Sequence, residues 1–116
     1  MARLASGLLV SALIRRAEAI GGSAMVLAKG DATAGAILLI LLEKGQNPRL
    51  RERGLGPDGL PALIPAGPVE LAGDTDVTAY WQRRRRGDAD LWVVELDLPP
   101  HIADGERFAA ETMLAN

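Results

Sequence analysis

Ala36-Ile37-Leu38-Leu39-Ile40-Leu41-Leu42 runs for seven residues without a polar side chain. A strand with one face in water alternates apolar and polar residues, so an unbroken apolar run marks a strand covered on both faces. A buried helix has similar composition, but seven residues is short for one, and glycines flank the run. Gly30-Asp31-Ala32-Thr33-Ala34-Gly35 before it reads as a turn, and Lys44-Gly45-Gln46-Asn47-Pro48 after it as a hairpin turn. A fully covered central strand calls for helices packed on a sheet.

On the N-terminal side, Leu9, Leu13, Ala17 and Ile20 recur at helical spacing, with Ser11, Arg15 and Glu18 as the polar stripe. This predicts a helix over 6–20, with Ser6 as N-cap and Gly21-Gly22 as its stop. Ala24 to Ala28 suits a short strand. On the C-terminal side, Arg49, Arg51 and Arg53 alternate with Leu50 and Glu52, which predicts an edge or half-exposed strand. The glycine- and proline-rich stretch 54–73 reads as a loop, with a brief irregular strand over Leu60 to Ile64. Val77, Tyr80, Trp81 and Arg84 predict a second helix, capped by Asp74 or Thr75 and closed by Arg83-Arg84-Arg85-Arg86-Gly87. Leu91 to Asp97 reads as a strand, and 104–114 as a terminal helix. The expected fold is α/β of the mixed α+β kind. Two to three helices pack on a four- to five-stranded sheet, mostly antiparallel or mixed.

At 116 residues this is one domain, 1–116. Hydrophobic residues make up 48% but aromatics only 3%, so the core is aliphatic. No cysteine is present, which removes disulfides and thiolate chemistry and fits a cytoplasmic location. Residues 1–53 carry 8 basic and 4 acidic side chains, against 5 and 11 in residues 54–116. Such asymmetry can orient a partner or set complementary faces together in an oligomer, although solvated surface charge without a purpose is the simpler reading. A net charge of −2 argues against a dedicated nucleic-acid binder. The apolar run Leu4–Ile14 resembles part of a signal peptide, but Arg15 and Arg16 follow it where a cleavage region disfavours bases. It is also too short to cross a membrane, which takes roughly 20 residues.

Familiar chemical motifs fail on their context. Gly54-Leu55-Gly56-Pro57-Asp58-Gly59 has dinucleotide-type glycines, but Pro61 and Pro65 deny it the following helix that would receive a pyrophosphate. Gly30 to Gly35 has P-loop spacing without the lysine and hydroxyl residue. His101, near Asp97 and Asp104, reads most simply as a solvated loop residue. Serine chemistry has no nucleophile elbow.

The segment from Arg83 to Asp97 is the most informative stretch. Its candidate functional residues are Arg83, Arg84, Arg85, Arg86, Asp88, Asp90, Trp92 and Glu95, with Arg49, Arg51 and Arg53 as a separate basic strand. On a strand Leu91, Val93, Glu95 and Asp97 share one face, and Trp92, Val94 and Leu96 the other, which makes Trp92 a core anchor. Asp88, Asp90, Glu95 and Asp97 could form a carboxylate cluster for Mg²⁺. The simpler reading gives Asp88 and Asp90 turn hydrogen bonds and arginine partners.

Val10-Ser11-Ala12-Leu13-Ile14-Arg15-Arg16, Gly21-Gly22, Lys29-Gly30-Asp31, Ala34-Gly35-Ala36-Ile37-Leu38 and Asp88-Ala89-Asp90-Leu91-Trp92-Val93-Val94-Glu95 together resemble an alphaproteobacterial family known as domain of unknown function 1491. Where its members often carry aromatic-Asp-Pro-Asp before Leu-Trp, this chain has Gly87-Asp88-Ala89-Asp90. The resemblance implies a short cytoplasmic bacterial α/β protein and transfers no catalytic residues. The leading expectation is a small non-enzymatic binding or interaction module. Its partner is another protein or a second copy as a homodimer, with no cofactor and no metal. The alternatives are a metal-dependent enzyme acting on a phosphate-containing substrate and a weak nucleic-acid binder.

Overall fold

A computed structural model describes residues 4–68, 73–102 and 104–114. Its elements are α1 (Ser6–Ala19), β1 (Ser23–Ala28), β2 (Ile37–Glu43), β3 (Gln46–Leu55), β4 (Pro61–Pro65), α2 (Asp74–Gly87), β5 (Trp92–Leu98) and α3 (Gly105–Met113). The five strands form one sheet in the order β1-β5-β2-β3-β4. Only β2 and β5 run parallel; β1–β5, β2–β3 and β3–β4 are antiparallel. This is the expected α+β fold with a mixed sheet and three helices.

The seven-residue apolar run lies at the middle of the sheet because both its faces are covered. Ile37, Leu39 and Leu41 join Leu9, Val10, Leu13 and Ala17 of α1 and Ala109 and Met113 of α3 in one core layer. Leu38, Ile40 and Leu42 point the other way and join Leu50, Leu91, Val93 and Val77, with Tyr80 and Trp81 of α2 packed against them. Alternation along β5 follows suit, with Trp92, Val94, Leu96 and Leu98 on the α1/α3 side. Each such aliphatic side chain contributes roughly 1.5–3 kcal/mol of burial. The central pair β2–β5 is therefore the main source of stability.

Five local expectations are corrected. Ser6 is not the N-cap: Ala5 holds that position, and the Ser6 and Gly7 amides donate to the carbonyls of Thr33 and Ala32 at 3.2 and 2.9 Å. Those carbonyls satisfy helix-end donors that a cap side chain would otherwise serve, so the Ser6 hydroxyl can donate instead to the Gly35 carbonyl at 2.6 Å. Gly73, not Asp74 or Thr75, is the N-cap of α2. The hairpin turn is only Lys44-Gly45, both at positive φ, and β3 already begins at Gln46. Asn47, with φ +56°, and Pro48 form a bulge there, where the missing proline N–H breaks no ladder bond. The arginine strand is half-exposed, as expected, but it is not an edge: β3 lies between β2 and β4. The stretch read as a loop from residue 54 holds the end of β3 and all of β4.

The stop of α1 follows expectation. Gly21 has φ +84°, its amide donates to Glu18, and the Gly22 amide donates to Ala17 at 2.8 Å, which together make a Schellman motif. Arg16 then ties α1 to α3, bonding Thr112 and Glu111 and lying over the Phe108 ring. No helix among the described residues is long and apolar enough to cross a membrane.

Candidate functional site

The predicted polar residues separate into groups with distinct structural work. Arg84 forms an ion pair with Glu52 of β3 and bonds the Tyr80 hydroxyl at 3.2 Å. Burial opposes the Arg84 charge, but the Glu52 and Tyr80 bonds outweigh it and raise its pKa above the ordinary value. Arg85 donates to the carbonyls of Lys29, Ala89 and Leu91, fastening the end of α2 to the entry of β5. Arg83 stacks beside Tyr80, and Arg86 is exposed. In β3, Arg49 and Arg51 both reach Glu106 of α3, at 3.2 and 2.8 Å, and Arg53 lies on the same side of the strand. Seven arginines therefore do not form one basic surface.

The carboxylates separate as well. Asp88 accepts from the Asp90 amide at 3.1 Å, the turn bond expected of it, ahead of β5. Glu95 lies halfway along β5, on the α2 side. Among the described residues no group of three or more His, Asp or Glu side chains could hold a metal ion. The Glu95 carboxyl is raised above its ordinary pKa, first by burial and then by the Asp74 and Asp97 charges. Glu95 therefore binds its proton more tightly folded than unfolded. That contribution is present at low pH and is lost as pH rises through the folded value. Glu95→Gln is expected to gain on the parent in urea midpoint as pH is raised from about 4 to about 7, with no gain at the acid end. A difference independent of pH would discard this account.

Two of the motif segments do meet in space. Asp31 accepts from the Thr33 and Ala34 amides through Oδ2, at 3.1 and 2.8 Å. Its own amide donates to the Asp90 carbonyl at 3.0 Å, and its carbonyl accepts from Trp92 Nε1 at 2.7 Å. Glycines make this approach possible: a Cβ on Gly30 would lie 2.7 Å from both the amide nitrogen and Cδ1 of Trp92. Gly30-Asp31 and Asp90-Leu91-Trp92 thus form a knot of backbone, carboxylate and indole. This knot fixes the loop 31–36.

That loop is one wall of a cleft of about 600 Å³. Thr33 to Ala36 face Arg53, Gly54 and Leu55 at the end of β3, with Leu4 and Leu9 on one side and Met113 of α3 on the other. The cleft opens because the β2–β3 ladder ends at Leu38–Glu52, while β3 continues to Leu55. Its mouth carries Leu4 and Leu55, 46% and 69% exposed, and Leu60 on the same hairpin is 62% exposed. Its size suits a ligand-sized group, and most lining side chains are apolar. Several of these positions stood out singly in the sequence, Arg53 on a basic strand and Gly54-Leu55 in a glycine motif, but nothing there marked them as lining one cleft. The glycine-rich hairpin at 54–59 turns into β4 and not a helix, with Asp58 accepting from the Leu60 amide at 3.0 Å. His101 is exposed in a turn before α3, and Asp104 is occupied as the α3 cap, accepting from the Arg107 amide.

The chain shares this architecture with solved structures. A crystal structure of a DUF1491 family protein from Caulobacter crescentus is 38% identical, with a TM-score of 0.71 over 82% of this chain and 88% of that one. An NMR structure of a DUF1491 family protein from the same organism is 37% identical, with a TM-score of 0.70 over 86% and 90%. The solution structure of protein Atu0922 from A. tumefaciens is 33% identical, with a TM-score of 0.64 over 83% and 86%. No curated protein matches the chain. The model of the DUF1491 family, described as a protein of unknown function, matches residues 4–109, nearly the full length. The chain therefore belongs to the DUF1491 family.

Proposed function

We propose that the chain is a non-catalytic binding module of the bacterial cytoplasm, and that its cleft receives an apolar side chain of a protein partner. One observation carries this reading: a mostly apolar cleft, with Glu52 and Arg53 in its lining, bordered by exposed Leu4 and Leu55. Exposed leucines at a concave apolar site cost solubility, and they suit a surface that is covered in the working state. The polar motif residues support the same reading, since the Asp31 carboxylate, the Trp92 indole and the Asp90 backbone carbonyl all bond the main chain of the loop that shapes the wall. Lack of cysteine fits a reducing compartment.

A fluorescent apolar probe such as anilinonaphthalene sulfonate, titrated with amide NMR readout, tests the cleft. Binding to the native protein should shift the amides of Leu4, Ala36, Ile37, Leu55 and Met113. Ala34→Phe, at an exposed wall position, should obstruct the cleft and weaken the probe about tenfold while the fold persists. Shifts centred elsewhere, or unchanged affinity in a folded Ala34→Phe variant, would remove the proposal.

A further inference from the structure

The sheet has two edges, and they are protected differently. β4 is five residues long with proline at both ends, Pro61 and Pro65, and a proline nitrogen cannot donate to an incoming strand. β1, at the other edge, reads Ser-Ala-Met-Val-Leu-Ala, with neither charge nor proline. Met25 is 59% exposed and Val26 36%. A bulge at Leu27 disturbs only its last two residues, leaving Ser23 to Val26 regular. An uncharged, apolar and regular edge is a template for pairing with another strand, and self-pairing here sets no like charges opposite each other.

The helix above this edge limits what can pair. α1 packs over β1 and β5, on the side of the sheet away from α2. A second β1 running antiparallel beside the first would place the two-fold axis about 2.4 Å from each strand, since paired strands lie about 4.8 Å apart. A helix astride β1 and β5 then lies about 5 Å from the axis, so the two copies of α1 meet at about 10 Å, a normal packing distance. The level along the helix also agrees. With Ser23 taken level with Ala19 across the three-residue turn Ile20–Gly22, the middle of Ser23–Val26 lies about 5 Å along the strand, or about three residues back along α1. The axis therefore crosses α1 near Arg16, between Arg15 and Glu18. Antiparallel helices centred there bring Arg15 of each copy beside Glu18 of the other, twice. Both side chains are exposed, and neither has an ion-pair partner among the described residues.

We infer that two copies of this chain associate through β1, edge to edge about a two-fold axis, with α1 packed on α1 and reciprocal Arg15–Glu18 pairs. The interface is isologous and joins two sheets into one. It leaves the cleft open, because that lies between β2 and the far end of β3.

Sedimentation equilibrium from about 10 µM to about 1 mM, with a charge swap, tests this. The parent protein should show a monomer–dimer equilibrium. Arg15→Glu and Glu18→Arg, both at exposed positions, should each weaken self-association about tenfold by facing like charges. Mixed together the two variants should recover it as a heterodimer, since each acidic pair then meets a basic pair. Amide exchange in β1 should slow as the parent concentration rises. A parent that stays monomeric throughout overturns the inference, as does a dimer indifferent to both variants. A mixture that fails to recover, with both variants folded by circular dichroism, also overturns it. Ala34→Phe should leave the association unchanged, so the cleft and the edge fail or succeed separately.

Discussion

Gly35→Ala is expected to destabilise the chain by about 3 kcal/mol or more, the range of severe overpacking against atoms that cannot yield. The methyl would overlap the Asp90 carbonyl oxygen and stand 3.0 Å from both the amide nitrogen and the carbonyl oxygen of Asp31. All three are backbone atoms. They are also bonded to each other's segments: the Asp90 carbonyl accepts from the Asp31 amide, and the Asp31 carboxylate grips the next turn. Relief would require the loop to leave β5 or the entry of β5 to leave the sheet. The effect is steric, because Gly35 does not occupy the left-handed region. Gly87→Ala is the control: nothing lies within 4 Å of its added methyl at the end of α2, and helix propensity favours alanine by up to about 1 kcal/mol. Urea unfolding of the two variants should move in opposite directions. A loss below about 1 kcal/mol for Gly35→Ala would show that the knot yields and does not fix the cleft wall.

Period and composition report which faces of an element are covered, and these were legible: the double burial of β2, the stripe on α1, and the split of β5 between Trp92 and Glu95 faces. They do not report what covers a face. Arg49, Arg51 and Arg53 alternate as an edge strand would, but an interior strand looks the same when a distant carboxylate, here Glu106 of α3, meets its arginines. Ser6 has the chemistry of an N-cap and lost that place to carbonyls 26 and 27 residues away, at Ala32 and Thr33. The cleft is harder still, since it gathers residues from position 4 to position 113 and exists because a ladder stops early. The carboxylate cluster, the less simple of the two readings of these residues, is not formed among the described residues, for a plainer reason. Asp88 and Asp90 precede β5 while Glu95 and Asp97 occupy it, and a strand extends about 3.3 Å per residue.

Trp92 should separate packing from positioning. It is 5% exposed and spans the core layer under α1, so Trp92→Ala is expected to cost about 3–5 kcal/mol and to threaten folding outright. Trp92→Phe keeps most of the ring and loses the Nε1 bond to the Asp31 carbonyl. That carbonyl also accepts from the Gly35 amide at 3.3 Å, so it does not become an orphan, and the cost should fall near 1 kcal/mol. The consequence of interest is local. Without the indole bond, the loop 31–36 keeps its own turn but loses one of its ties to β5, so amide exchange at Thr33, Ala34 and Gly35 should quicken while that in β2 and β5 stays slow. Binding of an apolar probe in the cleft should weaken with it. A Trp92→Phe variant as damaged as Trp92→Ala would place the value of this residue in the bond and not in the ring. Unchanged exchange in the loop would mean that Asp31 holds the cleft wall alone.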